Sequence, residues 1–248
     1  PDVFGYTAAL PQILRQSGIK YFLTIKLSWN QFNKLSSHTF WWEGLDGSQV
    51  LTHFPPADTY NAMGNVKDAM YSLSNYKDLD RSKEAYLLFG FGDGGGGPTI
   101  EMLEQIKRMK DVDGLPKVEM RTSNEFFNRL EKDAKDITTW VGELYFELHR
   151  GTYTTQAANK KYNRLSEFML HDVEFLAAMA HTLNGLDYPS AELDRLWKMI
   201  LTNQFHDIIP GSSIDLVHQD SNIHYQDVLA SGATMRNQAL VALLGKPA

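Results

Sequence analysis

The sequence predicts an α/β domain over residues 1–150, followed by an antiparallel three-helix bundle over residues 151–248. In the first part, short apolar runs of strand character alternate with helix-like segments, which is the rhythm of α/β folds. In the second part, apolar residues recur at a helical period along three segments joined by short loops. A chain of 248 residues is long enough to bury a core in each part.

Local signals place the elements of the first part. Leu45-Asp46-Gly47-Ser48 is a turn signal between two alternating segments, so residues 39–43 and 49–53 are predicted to form a hairpin. Thr122 and Glu125 have the spacing of a capping box and open a helix. We expect further helices at residues 8–16 and 99–110, and further strands at residues 19–25, 85–89, 117–121 and 140–148.

The second part is predicted to consist of three amphipathic helices. They cover residues 156–183, residues 190–204, and a segment that starts at Ser212 or Ser213 as cap and continues past residue 229. The residues expected to face inward are Tyr162, Leu165, Met169, Val173, Leu176, Ala180, Leu193, Leu196, Trp197 and Ile200.

Composition excludes several classes of function. The net charge of −6 argues against a non-specific nucleic-acid binder, which would need a basic face. The sequence has no run of 18 apolar residues, so we expect no membrane partner. It also has no cysteine, so any metal must be held by His, Asp or Glu; this also suits a reducing compartment. Because Asp2 lies in a functional-looking motif at the very start, we expect the chain to be an internal fragment.

A glycine run at residues 90–97 follows an apolar segment and precedes a helix. Gly90, Gly92 and Gly95 satisfy the G-x-G-x-x-G pattern of dinucleotide-binding folds. That interpretation is disfavoured because Asp93 lies where a pyrophosphate would need backbone amides and no negative charge. We expect instead that the glycines let the backbone approach a ligand and hold Asp93 at the carboxyl end of the strand at residues 85–89, where α/β folds place their sites.

Three other features have both structural and functional interpretations. His206-Asp207 lies between two helices, where a histidine more often stabilises a helix end than binds a ligand. The segment from Glu143 to Tyr153 alternates like a strand, and its charges fit a solvated face or a sugar cleft equally well. Trp29, Trp41 and Trp42 are expected to be mostly core packing, with sugar stacking as the less favoured alternative.

Six motifs in order resemble glycoside hydrolase family 38, the zinc-dependent retaining α-mannosidases. The resemblance covers nearly the whole chain, and it is greater to the cytosolic, vacuolar and bacterial branch than to the Golgi or lysosomal one. The motifs are Pro1-Asp-Val-Phe-Gly-Tyr6, Lys26-Leu-Ser-Trp-Asn30, Trp42-Glu-Gly-Leu-Asp-Gly47, Gly92-Asp-Gly-Gly-Gly-Gly-Pro-Thr99, His149-Arg-Gly-Thr-Tyr-Thr154 and Gln204-Phe-His-Asp-Ile-Ile-Pro-Gly211.

The resemblance implies a role for individual residues. Asp2 matches the nucleophile, which is also a zinc ligand, and Asp93 matches the general acid/base. His206 matches the last zinc ligand, and Asp207 matches a neighbour that hydrogen-bonds the mannose. The remaining matched positions line the substrate pocket: Phe4, Lys26 and Tyr60.

The resemblance also implies the architecture, cofactor and setting. Residues 1–150 would be the carboxy-terminal part of a β/α barrel-like glycosidase domain, and the cofactor would be Zn²⁺, with two further ligands expected upstream of this chain. The substrate would be a mannose-containing oligosaccharide or glycoside. We expect a cytoplasmic protein, with a vacuolar location and a homo-oligomer as possibilities, and we expect the chain alone to be inactive.

Three alternatives remain open at this level. A mannosylglycerate or its phosphorylated form would be the substrate if Lys26 or Arg150 served a phosphate pocket. A non-catalytic carbohydrate-binding or scaffold fragment would keep the fold without zinc. The dinucleotide-binding domain is the third alternative.

Overall fold

A computed structural model describes residues 1–245, which form two compact units that divide between His149 and Arg150. The first unit is mixed α/β and the second is helical. No helix among the described residues is long and apolar enough to cross a membrane.

The first unit is built on a four-stranded sheet. Its strands are β1 (Tyr21–Leu23), β2 (Thr39–Glu43), β3 (Gln49–His53) and β4 (Thr139–Val141), in the spatial order β1-β3-β2-β4. Strands β2 and β3 form the predicted hairpin, with Trp41 opposite Leu51. Strand β1 runs parallel to β3, and β4 runs parallel to β2.

Four helices surround this sheet in sequence. They are α1 (Leu10–Gln16), α2 (Val66–Asn75), α3 (Ile100–Arg108) and α4 (Ser123–Asp133). The predicted capping box of α4 is confirmed, because the Thr122 side chain accepts from the Glu125 N–H while the Glu125 carboxylate accepts from the Thr122 N–H. Helix α2 was not predicted, although Asn65 caps it by accepting from the Asp68 N–H at 3.0 Å.

Two predicted strands are wrong. Residues 85–89 form no strand and are only partly buried, with a single parallel bridge from Phe89 to Ala62. The Tyr86 N–H there donates to the His53 imidazole instead of to a neighbouring strand. Residues 117–121 are irregular and mostly exposed, so their apolar character is not matched by burial. The strand expected at 140–148 shortens to β4, because Gly142 takes a φ of +107° and leaves the extended conformation.

Buried aromatic residues form the core next to the chain start. Trp42 is fully buried, and Tyr6 and Phe22 pack edge to face at 4.9 Å between ring centroids. The remaining buried members of this cluster are Leu27, Phe40, Val50, Phe54, Leu144 and Phe146. A second cluster lies around Leu51, Phe126, Phe127 and Leu130, and it holds α4 against the sheet.

The second unit consists of α5 (Ala157–Asn184), α6 (Ser190–Asn203) and α7 (Asp215–Leu244). The three helices share one core, made by Leu170, Val173, Leu193, Leu196, Ile200, Val228 and Met235. The inward face of α5 differs from the predicted one, because Leu165 is 42% exposed while Asn163, Ser166 and Leu170 are buried. Burial at the start of α5 is therefore polar, which an apolar periodicity could not reveal.

The start of α7 also differs from the prediction. Its N-cap residue is Ile214, which makes no side-chain cap, so neither Ser212 nor Ser213 caps the helix. Both serines instead bind Asp207: the Ser212 hydroxyl donates to its carboxylate at 2.9 Å, and the Ser213 hydroxyl donates to its carbonyl at 2.8 Å.

Candidate active site

Asp2 and Lys26 form an ion pair at the heart of the first unit. The Lys26 ammonium lies 2.8 Å from the Asp2 carboxylate, and the lysine side chain is only 4% exposed. The same ammonium lies 5.3 Å from the centroid of the Phe4 ring and 4.4 Å from that of Trp29. Such cation–π contacts lower the cost of burying the charge, so Lys26 is held in a defined position that faces Asp2.

The backbone that carries Asp2 and Phe4 is held from both sides. The hydroxyls of Tyr6 and Thr24 donate to the Pro1 carbonyl at 3.0 and 2.8 Å. The Tyr6 and Leu144 backbones exchange two hydrogen bonds of 2.9 Å. The segment from Pro1 to Tyr6 is therefore packed as an ordered part of the fold, with Tyr6 in the core.

Tyr60 and Asp93 form a second pair in the same unit. The Tyr60 hydroxyl donates to Asp93 Oδ2 at 2.8 Å. This hydrogen bond is the main cause that raises the pKa of Tyr60 to about 12; desolvation and the charges of Asp93 and Asp2 add to it. The phenol therefore remains a donor at neutral pH, and both candidate carboxylates act electrostatically on it.

The glycine run supplies the backbone shape that presents Asp93. Asp93 itself has a φ of +51°, and the segment closes on itself through two backbone hydrogen bonds between Phe91 and Gly97. A Cβ at Gly92 would lie 2.6 Å from Asn61 Oδ1 and 3.0 Å from the Tyr60 ring, so only glycine fits beside these residues. Asn61 also accepts from the Gly92 N–H at 2.7 Å, which ties the loop to the residue next to Tyr60.

Five of the predicted site residues thus lie in two contacting sets within the first unit. Asp2, Phe4 and Lys26 form one set, and Tyr60 and Asp93 form the other. The charge of Asp2 at Tyr60 links the two sets electrostatically. Sequence separation alone did not reveal these contacts, because the two carboxylates are about ninety residues apart.

Two aromatic residues of this site were missed or misjudged. Trp29 is 41% exposed and lies against Lys26, so the expectation of core packing is wrong for it, whereas Trp42 is fully buried as expected. His149 packs edge to face on Phe4 at 4.6 Å. Both belong to motifs already noted in the sequence, which was the available signal.

Glu147 settles the open interpretation of the segment at residues 143–153 in favour of a structural role for its charge. Its carboxylate accepts from the backbone N–H groups of Gln31, Phe32 and Asn33, and from the Asn33 side chain. Desolvation raises the pKa of Glu147, but these hydrogen bonds outweigh it and lower the pKa to about 2. Glu147 therefore anchors the loop that follows Lys26 and Trp29.

His206 and Asp207 lie in the second unit, in a turn at residues 204–214 between α6 and α7 that we call the His206 turn. The His206 Nε2 atom lies 3.7 Å from Asp207 Oδ2, which is longer than a hydrogen bond, and the ring packs on Phe205 at 4.2 Å. Asp207 is instead oriented by Ser212, whose hydroxyl donates to its carboxylate. The expectation that Asp207 simply orients His206 is therefore not met by this geometry.

The side-chain donors were examined for a metal centre. Among residues 1–245, no group of three or more His, Cys, Asp or Glu side chains converges as a metal would require. A His-x-Asp triplet does occur at residues 218–220, but it lies within α7, where positions two apart point to different faces. Because a catalytic zinc typically takes three protein ligands, the described residues alone do not fit such a centre.

Comparison with known proteins identifies two family matches. Residues 1–143 match the "Glycosyl hydrolases family 38 N-terminal domain" and residues 147–243 match the "Alpha mannosidase middle domain". Among curated proteins, the chain is 49% identical to alpha-mannosidase 2C1 of Homo sapiens over its full length. It is also 45% identical to alpha-mannosidase of Saccharomyces cerevisiae over 88% of the chain. It spans about a quarter of the length of the curated relatives it matches, with shares of 24% and 21% for these two.

Solved structures agree in fold. An alpha-mannosidase from Enterococcus faecalis V583 superposes with a TM-score of 0.79 at 22% identity, covering 98% of this chain and 29% of that one. A second protein from Enterococcus faecalis, described as belonging to glycosyl hydrolase family 38, gives a TM-score of 0.66 at 19% identity and covers 96% of this chain and 26% of its own. With more than half of the residues matched by its amino-terminal domain, the chain belongs to glycosyl hydrolase family 38.

Proposed function

We propose that this chain carries the two catalytic carboxylates of a retaining α-mannosidase. The observation that supports the proposal most directly is the link between the two pairs: Tyr60 binds Asp93 and also feels the charge of Asp2. Retaining glycosidases use two carboxyl groups about 5–5.5 Å apart, one as nucleophile and one as acid and then base. In the proposal Asp2 is the nucleophile and Asp93 is the acid/base.

The proposed reaction follows from these roles. Asp93 gives its proton to the glycosidic oxygen as the C1–O bond breaks, and an Asp2 oxygen bonds to C1 to form a glycosyl ester. Asp93 then takes a proton from water, whose oxygen attacks C1 and releases the Asp2 carboxylate. Tyr60 donates to one Asp93 oxygen, which orients the carboxyl group, and Lys26 holds one oxygen of Asp2 in place.

The first unit offers further support for sugar binding. Phe4 and Trp29 flank the Lys26 ammonium, and Trp29 is 41% exposed, so an aromatic face is available beside the ion pair. We infer that Phe4 packs against the sugar and that Asp207 hydrogen-bonds it. We further infer that the first unit is the carboxy-terminal part of a β/α barrel-like domain and that the second is an antiparallel three-helix bundle, with the division near residue 150.

Zinc dependence is part of the proposal and concerns Asp2 and His206, each as a candidate ligand. The described residues do not converge into a three-ligand centre, so the proposal requires ligands from a longer protein that contains this chain. No step of the reaction above is routed through the metal. We also propose a cytoplasmic setting, which the absence of cysteine suits.

A mannosylglycerate hydrolase is the weaker candidate. The chain is 24% identical to a putative mannosylglycerate hydrolase of Halalkalibacterium halodurans, about half its identity to the named α-mannosidases. A phosphorylated substrate would need a cation in the cleft, but the Lys26 ammonium is already paired with Asp2.

The proposal is tested with a longer family protein that contains this chain, assayed on an aryl α-mannoside. Asp2→Asn is expected to abolish turnover, and Asp93→Asn is expected to lower kcat most for poor leaving groups, since they depend on protonation. Chelation is expected to remove activity, and added zinc to restore it. The chain by itself is expected to bind zinc weakly and to be inactive. Full activity of Asp2→Asn in the longer protein would refute the nucleophile assignment.

A further inference from the structure

The His206 turn has no regular secondary structure, yet its backbone is tightly held. Within the turn, the Ile208 N–H donates to the Phe205 carbonyl at 2.8 Å and the Gly211 N–H donates to the Ile208 carbonyl at 3.0 Å. Side chains from the first turn of α5 then reach the two carbonyls that follow Asp207. Asn159 Nδ2 donates to the Ile208 carbonyl at 2.9 Å, and Lys160 Nζ donates to the Ile209 carbonyl at 3.0 Å.

Both side chains are committed to this task. Asn159 is 3% exposed, and its other amide atom accepts from the Ser221 hydroxyl of α7 at 2.7 Å. The Lys160 ammonium also donates to the Thr155 carbonyl at 2.6 Å. Asn159 therefore joins α5, α7 and the turn, while Lys160 joins the turn to the residues that precede α5.

Backbone geometry locks the same two segments together. Gly211 has a φ of +81°, and a Cβ there would collide with the Thr155 side chain and lie 2.9 Å from the Thr155 carbonyl. Gln156, next to Thr155, has a φ of +51°, which is uncommon for a residue with a side chain. The close approach of residues 155–156 to Gly211 thus depends on backbone conformations that have a conformational cost.

A purely structural role for Lys160 is poorly supported. A cation in the first turn of a helix lies at the positive end of the helix dipole, where it is unfavourable. Burial also lowers the pKa of Lys160, which shows that its ammonium is partly desolvated. The neighbouring Lys161 is exposed and has no such carbonyl partners among the described residues. The placement of Lys160 is therefore explained by the carbonyls of the turn and not by the helix.

We propose that Asn159 and Lys160 are positioning residues that fix the His206 turn in the conformation in which His206 and Asp207 act. This rests on the proposed function, which gives those two residues roles in the site. A displacement of about 1 Å in a catalytic constellation can lower the rate by about a hundredfold, so loosening of the turn should be visible in kinetics. The Asp207 carboxylate depends on the same turn, because Ser212 orients it.

The test compares Lys160→Met with the matched control Lys161→Met. In this chain, amide hydrogen exchange at Ile208, Gly211 and Ser212 is expected to become about tenfold faster in Lys160→Met and to stay unchanged in Lys161→Met. Exchange in the middle of α5 and α7 is expected to be unchanged in both. Lys160→Arg, which keeps a cationic donor, is expected to restore part of the protection.

The second arm uses the longer protein and an aryl α-mannoside. Lys160→Met is expected to lower kcat/KM about tenfold or more, while the denaturant midpoint stays within the range of the Lys161→Met control. Asn159→Ser, which shortens the donor, is expected to act in the same direction. Unchanged exchange of the turn amides in Lys160→Met would overturn the inference, and so would unchanged kcat/KM with a loosened turn. If the unsubstituted longer protein has no mannosidase activity, the proposed function fails, and the exchange result still decides whether Lys160 holds the turn.

Discussion

Single hydrogen bonds determine how the candidate carboxylates are presented. Asp93 takes a left-handed backbone conformation and receives the Tyr60 hydroxyl, while Asp2 receives the buried Lys26 ammonium. A carboxylate held by one directional donor keeps its second oxygen in a defined direction, which acid/base and nucleophilic chemistry both require. Tyr60 and Lys26 are therefore as important to the proposed site as the carboxylates they bind.

The Tyr60–Asp93 hydrogen bond leads to a kinetic prediction. Tyr60→Phe in the longer protein keeps the ring and removes the donor, so the Asp93 carboxyl loses its orientation. Hydrogen bonds to charged groups contribute about 1.5–3 kcal/mol, which corresponds to a roughly tenfold to hundredfold fall in kcat. Steady-state kinetics with an aryl α-mannoside measure this.

The matched control for Tyr60→Phe is Tyr71→Phe, which removes a similar Tyr–Asp hydrogen bond to Asp58 at 3.1 Å. It is expected to leave kcat unchanged. Equal kcat values for Tyr60→Phe and the unsubstituted protein would show that Tyr60 does not position Asp93.

At the scale of elements, loops and not strands carry the site. Lys26 and Trp29 lie in a short 3-10 helix (Lys26–Trp29), and the segment after it is bound by Glu147 from the far end of the unit. Asn30 strengthens the same connection: its side chain donates to the Tyr145 carbonyl and accepts from the Glu147 N–H, both at 2.9 Å. Functional loops on a stable scaffold need such anchors, because their backbones have no ladder partners.

The Glu147 anchor leads to a stability prediction. Glu147→Gln replaces a carboxylate that accepts several N–H groups by an amide with one acceptor oxygen, so the denaturant midpoint is expected to fall. The pKa of Glu147 is lowered in the folded state, so its contribution is present above its unfolded value of 4.5 and is lost as the pH falls towards about 2. Urea unfolding followed by circular dichroism measures both effects.

Glu143→Gln is the matched control for Glu147→Gln, because Glu143 is an exposed carboxylate four residues earlier. Its midpoint is expected to match that of the unsubstituted chain. A similar fall for both variants would mean that the anchor makes no specific contribution.

At the scale of the whole molecule, the two units bury their polar groups in different ways. The first unit encloses two histidines: His53 receives the Tyr86 N–H at 3.1 Å, and His38 receives the Lys77 N–H at 3.1 Å. Desolvation lowers the pKa of His53 to about 3, and His38 adds to this. Desolvation, assisted by Lys77, lowers the pKa of His38 to about 4. The second unit instead buries amides and hydroxyls where α5 meets α7 and the His206 turn.

The buried histidines predict acid sensitivity. Both imidazoles are neutral in the fold, and both take up a proton near pH 6.5 when unfolded, so the unfolded chain binds more protons between pH 6.5 and about 4. Stability is therefore expected to fall as the pH decreases through this window, by roughly 2 kcal/mol for each imidazole at pH 5. Chemical denaturation at pH 7.5 and pH 5 measures the difference.

His38→Gln is expected to make that loss smaller, although it also lowers stability at neutral pH. The control His171→Gln changes a side chain that is 82% exposed and is expected to leave the pH dependence unchanged. Equal stability at pH 7.5 and pH 5 would contradict the prediction.

The sequence by itself determined those features whose cause is local. The β2–β3 hairpin follows from its turn residues and alternation, the start of α4 from its capping box, and α5 and α6 from their helical periodicity. The family also followed from the sequence, because ordered motifs survive without any knowledge of their contacts.

Only the tertiary structure decided which residues meet. Residues 85–89 and 117–121 have apolar strand-like sequences, but a strand requires a neighbour, and the fold places the Tyr86 amide on His53 instead. The Asp2–Lys26 pair, the Tyr60–Asp93 pair and the contact of Lys160 with Ile209 join residues 24 to 49 positions apart. Such contacts depend on how packed elements converge and on the desolvation of the groups between them, and neither quantity can be read from local spacing.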